Sequence, residues 1–368
     1  MKFPDGSFWE RSKDSTDLNA LSYAKNVFEI LNQGESVEMN PDSAAAIELR
    51  GFKQGFAFKT SGTTGNPKSC IHSWTGLENA YQRLHKFLSI SESYNSISCL
   101  PIHHIGGWMQ LVRSWFSGGN ILFFHYKDFA NAQNKNLISR RYVSLVPTQL
   151  YELLKIETAV SNLRTCAGIF IGGAASSTYL LDKAHQENLP IYNCYGMTET
   201  AGMVSVLSPA EFVKGIRGVG RAMPDVYMKL NAHSQICIKC ESIGTIMDEK
   251  FEITSGWLTT MDIGEGKNGY WKVLHRSDRI INTGGEKVIP ELVEEKILEV
   301  PEIKDCKVFG VEDEKWGYKL VAKITPATAN LSLLKNFLKS KLRSYEIPKE
   351  FIRVNEIQNS SRNWKNET

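Results

Sequence analysis

The sequence predicts an α/β fold. A large N-terminal domain with mostly parallel sheets flanked by helices carries a small β-rich subdomain and is followed by a small α+β domain. Three observations predict it. Short apolar runs alternate with helical text from about residue 56 to 204, glycine- and turn-rich strand text fills 216–275, and a helix–strand–strand–helix pattern begins near Asp278. At 368 residues, two domains are the natural expectation, divided as 1–278 and 279–368.

The elements follow in order. A helix is expected over Leu18–Leu31, and Phe56-Ala-Phe-Lys reads as a short strand running into a Gly/Thr-rich loop. A helix follows from Trp74 to about Leu88, and a buried strand, Ser96-Ile-Ser-Cys-Leu, stops at Pro101. Ile121-Leu-Phe-Phe, Tyr142-Val-Ser-Leu-Val, Gly168-Ile-Phe-Ile and Ile191-Tyr-Asn-Cys are further apolar strands with helical text between them. Strands alternating with helices imply parallel βαβ units and sheets covered on both faces. In the last ninety or so residues, Pro290 and the glutamates after it suit the first turn of a helix. Strands at Lys307–Val311 and Leu320–Ile324 and a helix over Leu331–Arg343 complete that unit.

Composition narrows the function. Lys and Arg number 43 against 40 Asp and Glu, a net charge of +3, too balanced for a nucleic-acid surface or a polybasic membrane anchor. No apolar run approaches the roughly 20 residues that span a bilayer, and the N-terminal text lacks the apolar stretch of a signal peptide. The seven cysteines are scattered and odd in number, which argues against a disulfide framework and for a cytoplasmic location. Cys237 and Cys240 form a C-x-x-C with His233 upstream, but no second pair follows. The text around them alternates like a strand, which would point them to opposite faces and argues against a metal or redox role.

Three blocks carry chemistry. Thr60-Ser61-Gly62-Thr63-Thr64-Gly65-Asn66-Pro67-Lys68 combines glycines that let a ligand approach the backbone, hydroxyls and N–H groups that cradle an anion, and a mobile cation in Lys68. Its spacing is not that of a Walker A loop. Tyr195-Gly196-Met197-Thr198-Glu199-Thr200 follows a strand ending near Cys194, where open α/β sheets bind ligands. Tyr195 can stack on a base, Thr198 can bond a phosphate, and Glu199 can hold Mg²⁺. In the third block, Asp262 is the candidate for gripping ribose hydroxyls and Arg276 for an opposing contact.

In this order, the three blocks resemble those of the adenylate-forming superfamily of acyl-CoA synthetases, luciferases and peptide-synthetase adenylation domains, over about residues 56–355. The resemblance implies ATP phosphates on Thr60–Lys68, adenine and metal at Tyr195, Thr198 and Glu199, and ribose at Asp262 and Arg276. It also implies that Gly172-Gly173-Ala174 packs along the adenine and acyl pocket, and that His104, in Pro101-Ile-His-His-Ile-Gly-Gly, lines the acyl site. Asp278 falls where the family hinges a mobile C-terminal domain, and Gly284 and Gly285 would line the pantetheine channel. The activity implied is an ATP-dependent acid–CoA ligase passing through an acyl-adenylate; the alternatives are a ligase for another acyl or aryl acid and, given the missing terminal Gly-Lys, a non-catalytic nucleotide-binding homologue. Its cofactors are ATP, Mg²⁺ and coenzyme A, and its partners a small carboxylic acid, ATP and CoA. A homodimer is allowed; nucleic acid and membrane are not expected. The phosphate loop arrives early, as in a form shortened at its start, and with the Pro-x-His-His-x-Gly-Gly and Gly-Gly-Ala-Ala wording this resembles the o-succinylbenzoate–CoA ligase branch of menaquinone and phylloquinone synthesis. One departure stands out. The family ends in Pro-Arg-x-x-x-Gly-Lys, whereas Ile357–Thr368 holds no Gly-Lys; Lys365 is the candidate for the missing cation, with Arg362 nearby.

Overall fold

A computed structural model describes residues 4, 6–10, 12–41, 43–49, 54–60, 68–90, 92–246, 252–355 and 357. Its largest unit is a twelve-stranded sheet. Five strands, Ile121–Phe123, Ser96–Ser98, Tyr142–Leu145, Gly168–Ile171 and Ile191–Met197, lie side by side in that order and all parallel. The helices Ile105–Phe116, Pro147–Leu153, Glu157–Leu163 and Thr178–Gln186 fall between them in the chain. Gly168–Ile171 is buried at every position. Ile169 and Ile171 join one apolar cluster with Leu150, Leu163 and Leu180, while Phe170 joins another with Val204 and Ile236. Covered on both faces, these strands must be apolar throughout, which is why they read as continuous hydrophobic runs.

The β-rich segment is bonded onto this parallel half. Gly202–Leu207 pairs antiparallel with Ile191–Met197, and Gly220–Ala222, Tyr270–Arg276, Trp257–Lys267, Gln235–Lys239 and Tyr227–Leu230 continue the same sheet. Cys237 is buried within it, and all seven cysteines are free thiols.

A second, five-stranded sheet contains Phe56–Thr60 and Lys68–His72 as an antiparallel pair. Phe56 packs 5.4 Å from Trp74 and 5.5 Å from Trp108, ring centre to ring centre. Trp108 is fully buried, and its truncation to alanine would cost about 3–5 kcal/mol. Trp74 opens the helix Trp74–Leu88, whose N-cap Ser73 accepts from Gly76 N–H.

From Ile281 onward the chain builds its own core of Val293, Ile297, Val308, Leu320, Ile324, Leu334 and their neighbours. Asp305–Asp313 and Gly317–Thr325 form a hairpin, joined in parallel by Glu350–Arg353, and the helices Pro290–Leu298 and Leu331–Lys339 contribute to the same core. Side-chain anchoring changes sides at one peptide bond. Asp278 is held by Arg276 through two bonds of 2.9 Å, whereas Arg279 is held by Glu291 at 2.8 Å, Glu294 at 2.7 Å and the Val308 carbonyl at 3.2 Å.

Candidate active site

Three of the predicted segments, at His104, Gly172–Ala174 and Tyr195–Glu199, lie at or beyond the carboxyl ends of parallel strands. Gly172, Gly173 and Ala174 follow Gly168–Ile171 directly. Gly173 has φ +79°, a conformation glycine adopts without strain, and a Cβ on Gly172 would lie 3.4 Å from the Cys194 carbonyl, so this loop runs beside the strand that carries Tyr195. His104 precedes the helix Ile105–Phe116, beyond the end of Ser96–Ser98, with its ring 4.3 Å from that of His103. His104 is exposed at its rim but desolvated where it packs, which lowers its pKa below the ordinary histidine range.

One expectation needs correcting. The strand does not end near Cys194 but continues through Met197, because the pairs Met197↔Gly202 and Gly196↔Met203 extend it. Tyr195 and Gly196 therefore lie in a strand rather than in the turn after it. Gly196 reads as a turn residue but is required by close approach: a Cβ there would sit 2.1 Å from the Gly202 carbonyl oxygen.

Tyr195, Asp262 and Arg276 are joined by hydrogen bonds. The Tyr195 hydroxyl donates to Asp262 Oδ2 at 2.7 Å, and Arg276 donates to Asp262 Oδ1 at 3.3 Å. Asp262 and Arg276 are cross-strand partners of Trp257–Lys267 and Tyr270–Arg276, which sets their distance. Asp262 is only 6% exposed and therefore depends on these donors. Burial, and then the negative charge of Asp262, push the Tyr195 phenol well above the usual tyrosine range. Burial opposes the charge on Arg276, but its bonds to Asp278 and the nearby Asp262 carboxylate outweigh that and raise its pKa.

Thr198 and Glu199 occupy a short 3₁₀ turn, Thr198–Thr200, immediately after the Tyr195 strand. It rests on Lys68–His72: His72 Nε2 lies 2.7 Å from the Thr198 carbonyl. His72 is buried, and its desolvation drops its pKa to about 4 despite that bond. Lys68 starts the same strand and pairs with Thr60, so the two ends of the Gly/Thr-rich loop stand at the foot of this sheet. Ser61, Gly62, Thr63, Thr64 and Gly65 lie outside the described residues, as does Lys365.

Glu199 is 6% exposed, and among the described residues no group of three or more His, Cys, Asp or Glu could hold a metal. A lone carboxylate fits Mg²⁺, which takes one or two carboxylates and completes its shell with water and substrate phosphate oxygens. Gly284 and Gly285 stand apart from these residues. They form the turn between Ile281–Thr283 and Glu286–Val288 with φ of +59° and +87°, which a tight hairpin of this kind requires. Gly284 N–H also donates to the Trp316 carbonyl at 2.8 Å. The turn thus explains both glycines without a ligand.

Arg113 went unread in the sequence. It is 4% exposed on the helix that starts after His104, its charge acts on the nearby Tyr94, and among the described residues it forms no ion pair. The signal was a lone charge inside Gly107-Trp-Met-Gln-Leu-Val-Arg-Ser-Trp115, a run otherwise suited to a buried helix.

The family model for AMP-binding enzymes matches residues 56–254, and that for the AMP-binding enzyme C-terminal domain matches 292–364. A 2-succinylbenzoate–CoA ligase of Bacillus subtilis (strain 168) is 28% identical over 380 aligned positions, covering 94% of this chain and 75% of the relative. One from Listeria monocytogenes is 31% identical over 313, covering 81% and 65%. The fold is similar to that of o-succinylbenzoate CoA synthetase from Bacillus subtilis in complex with the acyl-adenylate intermediate OSB-AMP, with TM-score 0.70, 26% identity and coverage of 83% and 67%. The same enzyme in complex with ATP and magnesium ion gives TM-score 0.68 at 25% identity, covering 82% and 66%. The chain spans about two thirds to three quarters of the length of these relatives. It belongs to the AMP-binding enzyme family.

Proposed function

We propose that this chain is an AMP-forming acid–CoA ligase acting on o-succinylbenzoate. The observation that carries the proposal is the meeting of two groups on adjoining segments. Tyr195, Asp262 and Arg276 supply a polar edge for the nucleoside, and Thr198–Glu199 stands over the strand that begins at Lys68. The relatives named above support the acid. So does Arg113: a buried guanidinium with no carboxylate partner among the described residues suits a substrate that keeps a second anion after the first carboxylate reacts.

A carboxylate is a poor electrophile, so it must first be activated. Its oxygen attacks the α-phosphorus of ATP, an O–P bond forms, the bond to the bridging oxygen breaks, and pyrophosphate leaves. The thiolate of CoA, its proton lost to solvent, then attacks the acyl carbon; the C–S bond forms and AMP departs. Mg²⁺, when bound, neutralises phosphate charge, and Glu199 is the residue that would hold it. Asp262 and Arg276 orient the ribose, while Thr198 and the loop Thr60–Lys68 bond the phosphates, a task of positioning and charge stabilisation. His104, kept neutral, lines the acid side. The domain boundary and hinge fall at Asp278–Arg279, supported by the change of anchoring across that bond. Gly284 and Gly285 face CoA in the second step, and seven free thiols favour a reducing, cytosolic setting.

The test is pyrophosphate release from ATP and Mg²⁺ with a panel of acids. Release with o-succinylbenzoate, followed by CoA-dependent loss of the adenylate, is expected. ATP binding without release for any acid would overturn the proposal, and release with other acids only would remove the substrate.

A further inference from the structure

The turn that carries Glu199 is held from outside at three successive carbonyls. Thr198 O receives His72 Nε2 at 2.7 Å, Glu199 O receives Gly244 N–H at 2.9 Å, and Thr200 O receives the Ser242 hydroxyl at 2.7 Å. A carbonyl oxygen only accepts, so the proton of His72 sits on Nε2, and its buried Nδ1 has no partner. Cys70 Sγ packs 3.4 Å from the same nitrogen. Behind Ser242, Arg83 donates to its hydroxyl at 2.5 Å and to the Met203 carbonyl at 2.9 Å, although Arg83 is nearly fully buried. Gly244 belongs to the same clamp: a Cβ there would lie 2.8 Å from both Cys70 Sγ and His72 Cε1, and the next residue, Thr245, pairs with Ile71. A turn of three residues rarely commands this much buried polar apparatus for its own stability.

We infer that His72 and the Arg83–Ser242 pair are positioning residues that fix the Glu199 carboxylate relative to the strand rooted at Lys68. The inference rests on Glu199 being the magnesium carboxylate. Its physical content is that the foot of the phosphate loop and the metal-holding turn move as one body. His72 is four residues along the strand from Lys68, and its single N–H bonds that strand directly to the turn.

The test uses the full chain and two readouts: the Mg²⁺ concentration that half-saturates ATP binding, by calorimetry, and amide hydrogen exchange over residues 198–202. His72→Leu keeps the bulk but removes the donor. It should raise the Mg²⁺ half-saturation about tenfold, the effect of leaving one buried carbonyl without its bond, and speed exchange in the turn. His72→Gln places an amide N–H near the position of Nε2 and should restore most of both readouts. Ser242→Ala, which deletes one hydroxyl, should move both in the same direction by less, and it decides the matter should His72→Leu not fold. If Glu199→Gln shifts the Mg²⁺ response while His72→Leu and Ser242→Ala leave it unchanged, the clamp is overturned. If His72→Leu and His72→Gln are equally impaired, the donor is not what matters, and the assignment fails. If Glu199→Gln leaves the Mg²⁺ response unchanged while His72→Leu speeds exchange, the metal reading falls and the clamp on the turn stands.

Discussion

Tyr195→Phe isolates the bond that ties Tyr195, proposed for the base, to Asp262, proposed for the ribose. The ring is kept, so packing and any stacking on adenine survive; only the hydroxyl 2.7 Å from Asp262 Oδ2 is lost. A hydrogen bond to a charged group contributes about 1.5–3 kcal/mol, and Asp262, at 6% exposure, has little water to replace it. Expressed wholly in binding, that is a ceiling of roughly ten- to hundredfold. Arg276 still holds Oδ1 at 3.3 Å, so the carboxylate loses one of two restraints, and an effect near the lower end, about tenfold weaker ATP binding, is expected. Calorimetry with Mg²⁺·ATP measures it, and tripolyphosphate, which has no ribose, serves as the control and should bind as before. Because burial and the Asp262 charge keep the phenol protonated above its usual range, the difference between variant and parent should be flat from about pH 6 to 9. Unchanged ATP affinity with lowered melting temperature would show that the Tyr195–Asp262 bond only stabilises the sheet. Equal weakening of tripolyphosphate would show that Asp262 does not act through the ribose.

Three further outcomes are expected. Arg279→Ala strands Glu291, 17% exposed, without its cation and leaves Glu294, 15% exposed, only Lys307 at 3.8 Å; it should cost the C-terminal unit about 3 kcal/mol in urea unfolding, with faster hydrogen exchange over Pro290–Leu298 and unchanged ATP affinity. Asp305 has its carboxyl raised from 3.8 to about 6 by burial, so folding favours its neutral form: that stability is complete below about pH 4 and lost as pH rises through 6, at most roughly 3 kcal/mol. Asp305→Asn should therefore match the parent's melting temperature near pH 4 and exceed it near pH 7.5, and parallel curves would refute the assignment. Lys365→Ala should slow adenylation far more than transfer to CoA in single-turnover assays, and equal slowing would remove that lysine from the first step.

What was legible in the sequence was local. Trp74–Leu88 starts at an N-cap serine and ends beside basic residues, and the parallel strands announce themselves because strands buried on both faces have no polar positions to break the run. The strand Lys68–His72 was harder to see: Lys-Ser-Cys-Ile-His alternates weakly, and its buried polar residue, His72, bonds a turn more than a hundred residues away. The end of Ile191–Met197 was misplaced for a related reason, since Tyr195-Gly196 carries a turn signal that only the approach of Gly202 explains. Asp262 and Arg276 could be picked by residue type, but their pairing comes from strand register, and the use of the Tyr195 hydroxyl from a contact across 67 positions. Arg113 was hidden because helical text does not say which side chain lacks a counter-ion.

These non-local contacts share a direction. Arg276 bonds Asp262 on one side and Asp278 on the other, and Asp278 is the last residue anchored to the large sheet before Arg279 turns to Glu291 and Glu294. A ribose bound at Asp262, as the proposed function has it, would pull on the same guanidinium that holds Asp278. The chain Tyr195–Asp262–Arg276–Asp278 is short and bonded end to end, with Asp262 buried and the other three half-buried, so a shift at one end is passed along few bonds to the other. On the proposed function, nucleotide occupancy and the orientation of Asp278 would be linked through one arginine. For that reason Arg276→Lys, which keeps the charge but loses the fork that spans both carboxylates, should damage the pairing of the two half-reactions more than either ATP binding or stability alone.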